Sequence, residues 1–205
     1  MKLDIKNIEK SLREKSPKPL GIEQRSAVLL PLIYTEDCWH ILFQLRSEEL
    51  STQPGEVSFP GGDIKSGEKR EEAALRETQE ELGTGTDEID LLGEMDYLVT
   101  PYNLIIYAFV ARMHVSSPED LQYNSAEVKE VFSAPVKFFR DNPPECSTVR
   151  VQSEPTGEFP YNLITGGRDY NWRQGKYPVY FYQYDDYVIW GFTARFVRAF
   201  LKLVK

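Results

Sequence analysis

Residues 68–81 hold more carboxylates than their three cations, Lys69, Arg70 and Arg76, can neutralise. On a helix turning about 100° per residue, Glu77, Glu80 and Glu81 fall within about 100° of the circumference and share one face. Three carboxylates so placed repel one another and cost stability unless a cation sits among them. All-oxygen ligands select Mg2+ or Mn2+, whereas zinc sites draw on His or Cys. Arg76 precedes Glu77 and lies one turn before Glu80, so its guanidinium can orient a carboxylate through a bidentate hydrogen bond without entering the metal site. The turn Pro60-Gly61-Gly62 brings bare backbone close to this helix and offers a carbonyl as a further ligand. The competing reading is a solvated acidic face laced by pairs such as Glu72 with Arg76, and the surplus of glutamate weighs against it.

The flanking sequence supplies the elements that must position these groups. Residues 68–82 lack Gly and Pro and are good helix formers, and Gly83 follows where a left-handed residue ends a helix. Residues 57–59 form a short apolar run entering the glycine turn. Upstream, residues 26–33 and 39–45 are rich in β-branched and aromatic side chains and read as a hairpin across Thr35-Glu36-Asp37. Strands are expected at 89–99, 104–113, 127–132, 178–184 and 187–190, with a short helix at 135–140. Proline and glycine make 141–175 irregular around a strand near 148–152. Residues 191–204 form an amphipathic helix with Phe192, Phe196 and Phe200 on its apolar face and Arg195 and Arg198 away from it. At the other end, Ile5, Ile8 and Leu12 recur at helical spacing over 2–14, and Pro17-Lys18-Pro19 stops that pattern.

With 205 residues, 41% of them hydrophobic and 13% aromatic, the chain can bury a full core as one domain, of which 1–20 form the N-terminal helix and linker. The formal charge of -8 repels nucleic-acid backbones, so a polynucleotide is not expected as a partner. No apolar run approaches the ~18 residues of a membrane span, and the opening residues lack an export signal. Two cysteines without metal-type spacing agree with a reducing cytoplasm.

The spacing Gly62, five residues, Glu68, seven residues, then Arg76-Glu77-Thr78-Gln79-Glu80-Glu81-Leu82-Gly83 resembles the Nudix box, which spans 62–84 and matches at all seven fixed polar or glycine positions. Thr78 and Thr84 stand where that box usually has bulky aliphatic residues. The resemblance implies an α/β/α sandwich around a mixed sheet, with the N-terminal and C-terminal helices packed on it. It implies Mg2+ or Mn2+ held by Glu77, Glu80 and Glu81 with the Gly62 carbonyl, and hydrolysis of a diphosphate joined to another group. Glu80, Glu81, Glu68 and Arg76 are then the catalytic set, and the proton acceptor stays open among Glu80, Glu81 and the segment 127–130.

The run Ile41-Leu42-Phe43-Gln44-Leu45-Arg46-Ser47 followed by Pro54-Gly55-Glu56-Val57-Ser58-Phe59-Pro60-Gly61-Gly62 is similar to the added signature of the coenzyme A pyrophosphatase branch. So is the ending Val188-Ile189-Trp190-Gly191-Phe192-Thr193-Ala194-Arg195. This likeness implies coenzyme A or its thioesters as substrate, with Arg46, Ser47 and Arg25 as substrate-binding residues, a guanidinium pairing with a phosphate. It departs from the branch at Leu50-Ser51-Thr52-Gln53, which lacks the usual cation and imidazole. The alternatives are another nucleoside diphosphate derivative, such as ADP-ribose or a dinucleotide, and a non-catalytic nucleotide-binding module. The family likeness also admits a homodimer.

Overall fold

The computed structural model describes residues 4–204. In chain order the elements are α1 (Ile5–Glu14), β1 (Gln24–Thr35), β2 (Cys38–Arg46), β3 (Val57–Ser58), β4 (Gly61–Asp63), α2 (Arg70–Leu82), β5 (Ile89–Glu94), β6 (Leu98–Val99) and β7 (Leu104–Met113). They continue with β8 (Val128–Pro135), α3 (Val136–Asp141), β9 (Glu145–Gln152), β10 (Gln174–Tyr184), β11 (Tyr187–Trp190) and α4 (Gly191–Leu203).

The hairpin forms as its residues require. Glu36 and Asp37 both take left-handed φ, 50° and 58°, in the two-residue turn whose twist suits antiparallel strands. This hairpin is the middle of a mixed sheet ordered β3-β2-β1-β7-β5, with β4 added to β1, β6 to β7 and β8 to β2. β1 runs parallel to β7 from Gln24 opposite Leu104 to Leu32 opposite Arg112, and its other pairings are antiparallel.

Alternation along β1 sorts the layers. Ala27 and Leu29 pack on Ala73 and Ala74 of α2 on one face. Leu30 and Leu32 join Phe43, Phe139, Phe196 and Phe200 on the other, under α3 and α4. The expected α/β/α layering is therefore present. A second sheet, β11-β10-β9, stands beside α4. Pro178 lies within β10 where β9 alone pairs with it, an edge position of the kind that admits proline.

Three expectations change. The helix expected over 2–14 forms over Ile5–Glu14, residues 2 and 3 lying outside the described residues, but it does not pack on the sheet: none of its residues is buried. Its apolar spacing is real, yet Ile5 is 68% and Leu12 66% exposed, and among the described residues no helix or strand packs closely enough to bury any part of it. The single strand expected at 89–99 is two, β5 and β6, interrupted at residues 95–97; within β5 the register against β7 also slips between Leu91 and Gly93. The helix expected from 68 begins at Arg70, leaving Glu68 in the preceding turn.

Candidate active site

Arg76 organises the acidic cluster. Its Nε and Nη2 donate to the two oxygens of Glu68 at 2.8 and 3.1 Å, a bidentate pair. Nη1 donates to Glu77 Oε1 at 2.6 Å and Glu80 Oε2 at 3.2 Å, and Nη2 also reaches the Asp63 carbonyl at 3.1 Å. Glu68 comes to this guanidinium from the turn before α2, where its other donor is the Lys65 N–H. The Arg76 fork first, and that N–H second, hold the Glu68 carboxyl down at about 2. The Glu68 fork first, and the Glu77 contact after it, push Arg76 above its ordinary value.

Glu81 lies one turn after Glu77 and is nearly closed from solvent, 3% exposed. Its Oε2 accepts from the Gly61 N–H at 2.9 Å and from Gln44 Nε2 at 3.0 Å. Burial dominates both donors and pushes its carboxyl up to about 7. Gln44 is the site residue that sequence reasoning passed over; its only sign was a lone amide inside the apolar run Ile41-Leu42-Phe43-Gln44-Leu45.

The glycines of the turn are needed for different reasons. A Cβ at Gly62 would stand 2.5 Å from the Glu77 Cδ, so that carboxylate occupies the space a side chain would take. Gly61 has φ +152°, and its Cβ would strike the backbone of Ala27 and Val28 in β1. At the far end of α2, Gly83 ends the helix at φ 67° as expected, its N–H donating to the Gln79 carbonyl. Thr78 replaces an aliphatic residue without an orphaned hydroxyl, because Oγ1 donates to the Ala74 carbonyl at 2.7 Å while the residue stays fully buried.

Three carboxylates, Glu68, Glu77 and Glu80, thus meet on one guanidinium, and Glu81 lies one turn beyond Glu77. Among the described residues they do not already converge as a three-ligand cation site. Their donor chemistry nonetheless suits a hard divalent ion. Arg76 engages only Oε1 of Glu77 and Oε2 of Glu80, and Gln44 and Gly61 only Oε2 of Glu81. One oxygen of each therefore has no protein partner among the described residues, all three from adjoining turns of α2.

Beside the glycine turn opens a cavity of about 450 Å3, walled by β1, β3 and β7 on one side and by β9, β10 and the start of α4 on the other. Most of its lining is apolar, including Val28, Phe59, Ile106, Val179 and Phe192. Arg46 lines it. Strict alternation would have sent Arg46 to the α2 face with Gln44, but the pairing of β2 with β8 slips between Leu45 and Arg46. Arg46 Nη2 donates to the Thr52 carbonyl at 3.2 Å, and its Nε is buried without a partner. The other two expected substrate residues are placed elsewhere. Arg25 is exposed and, by alternation with Ser26, lies on the α2 face of β1; Ser47 is buried outside the cavity lining, its hydroxyl accepting from the Glu49 N–H.

A layered α/β/α domain with a carboxylate-bearing helix behind a glycine turn defines a class of phosphate-handling folds, and the comparisons say which. The NUDIX domain profile matches residues 23–145, more than half of the sequence, and the chain belongs to the Nudix family. Nudix hydrolases generally use divalent metals such as Mg2+ or Mn2+. The chain is 32% identical over 143 residues to Nudix hydrolase 3 of Caenorhabditis elegans, covering 64% of this chain and 57% of that protein. It is 34% identical over 121 residues to the mouse peroxisomal coenzyme A diphosphatase NUDT7, covering 55% of this chain and 48% of that one. With the human mitochondrial coenzyme A diphosphatase NUDT8 it shares 29% over 181 residues, 87% of this chain and 69% of the relative. The chain thus spans about half the length of several of its relatives. A solved MutT/nudix family protein of Enterococcus faecalis superposes with TM-score 0.53 at 14% identity, covering 98% of this chain and 70% of that one, which supports the fold.

Proposed function

We propose that this protein is a divalent-cation-dependent pyrophosphohydrolase that cuts the diphosphate of coenzyme A or its derivatives, releasing phosphopantetheine and adenosine 3',5'-bisphosphate. Three carboxylates held by Arg76, and Glu81 held by the glycine turn that lines a largely apolar cavity containing Arg46, carry this reading. Two mammalian relatives named as coenzyme A diphosphatases support the choice of substrate.

Glu77, Glu80 and Glu81, with the Gly62 carbonyl, would hold Mg2+ or Mn2+, which when bound offsets charge on the diphosphate oxygens and acidifies a bound water. Arg76 keeps Glu77 and Glu80 from splaying apart under their mutual repulsion. Gln44 and the Gly61 N–H fix Glu81 Oε2, leaving Oε1 for the ion. Arg46 offers a guanidinium to a phosphate, and the apolar walls keep bulk water from the reacting bond.

The test is a substrate panel of coenzyme A, ADP-ribose and a diadenosine polyphosphate, each with Mg2+ or Mn2+. Coenzyme A is expected to give the highest kcat/KM, and Glu80→Gln and Glu81→Gln to lower it by about 100-fold or more. Equal turnover of ADP-ribose and coenzyme A removes the substrate claim; near wild-type rates in both variants misplace the site.

A further inference from the structure

The family profile ends at residue 145, yet the far wall of the cavity is built from later segments, namely β9, β10 and the first turns of α4. Among the cavity's lining residues the charged groups are Arg46, Arg195 and Glu56, an excess of one cation in a chain of net charge -8. Glu56 feels the charge of Arg46, and its Oε2 accepts from Gln53 Nε2 at 3.3 Å. Arg195 is half-buried and, among the described residues, makes no ion pair or hydrogen bond. Tyr177 also lines the cavity; its hydroxyl lies 3.0 Å from that of Tyr102 and feels the Arg195 charge. The apolar face of α4 explains Phe196 and Phe200 but not a half-buried guanidinium without a partner among the described residues at the cavity wall.

We propose that Arg195, which lines the cavity from the first turns of α4, reads a phosphomonoester that the substrate carries in addition to its diphosphate. This rests on the function proposed above and deepens it: the box helix would serve any diphosphate, while the C-terminal sheet and α4 select those with a further dianion. A guanidinium meets such a group with two parallel hydrogen bonds, which an uncharged hydroxyl in its place cannot accept equally well.

The experiment compares coenzyme A with 3'-dephospho-coenzyme A as substrates for wild type, Arg195→Gln and Arg195→Lys, with a melting curve for each. Wild type is expected to favour coenzyme A, and Arg195→Gln to lose about 10- to 100-fold in kcat/KM on it, mainly through KM. On dephospho-coenzyme A that variant is expected to stay within about threefold of wild type, and Arg195→Lys to fall between the two. A second arm measures binding of adenosine 3',5'-bisphosphate and of AMP by calorimetry, which requires no turnover; Arg195→Gln should weaken the first and spare the second. Equal losses on both substrates and both nucleotides, or no preference for the extra phosphate in wild type, overturn the role of Arg195. A wild type that hydrolyses neither substrate while binding the bisphosphate through Arg195 overturns the proposed activity and leaves this site standing.

Discussion

Alanine placed at each of two adjacent glycines should break the protein in two different ways. At Gly62 the new Cβ would stand 2.5 Å from Glu77 Cδ and 2.7 Å from each of its oxygens, about 1 Å inside a comfortable contact. The obstacle is the end of a flexible side chain, so the fold survives and Glu77 gives way, leaving its 2.6 Å contact with Arg76 Nη1. A displacement of about 1 Å in a group that holds a reacting centre costs on the order of 100-fold in rate. At Gly61 the obstacle is the β1 backbone, with Val28 Cα 2.6 Å from the added carbon, and φ is +152°. Neither can yield locally, so about 3 kcal/mol is expected, which lowers Tm by about 6 to 12 °C in a chain of this size. Hydrolysis assays with Mg2+ and thermal melts on both variants separate the two. The reasoning fails if Gly62→Ala melts as low as Gly61→Ala, or if it keeps activity within about threefold of wild type.

Three further outcomes rest on the same contacts. The folded-state value of Glu81 is raised from 4.5 to about 7, so its neutral form is favoured by folding: stability is unaffected below pH 4.5 and is lost as pH rises toward and past 7. Glu81→Gln, whose amide oxygen can accept the same two hydrogen bonds, should therefore gain up to about 3 kcal/mol at pH 8 without metal, gain nothing at pH 4, and be inactive; pH-dependent melts check this. Arg76→Lys loses the fork on Glu68, so the Glu68 carboxyl should rise from about 2 toward 4.5, the acid limb of unfolding should move to higher pH, and kcat/KM should fall about 10- to 100-fold; NMR titration and kinetics read these. Deleting residues 1–20 should leave Tm within about 1 °C, because α1 buries none of its residues; a larger drop in a melting curve would show that the helix packs after all.

The parts of this protein legible in its sequence are those encoded over short spans. The helix of residues 70–82, its glycine stop, the shared face of Glu77, Glu80 and Glu81, and the turn at Glu36-Asp37 all follow from a 3.6-residue period and from backbone conformations few residues tolerate. Gly191, φ +64°, turns β11 into α4 by the same local rule. Amphipathic spacing misled for α1, because periodicity records a capacity to pack and not the presence of a surface to pack on. Arg25, Arg46 and Ser47 looked equivalent as residues near a motif; strand alternation, a slipped register and a local turn sent each to a different environment.

What the sequence determined by itself was which groups ride on α2 and which hinge its glycine turn allows, since those depend on neighbours a few bonds apart. Only the tertiary structure decided that Gln44 holds Glu81, and that Arg46 and Arg195, 149 positions apart, line one cavity. The reason lies in desolvation: a carboxyl or guanidinium acquires its chemistry from what displaces its water, and those displacing groups arrive from segments whose meeting is set by how two sheets and a helix pack.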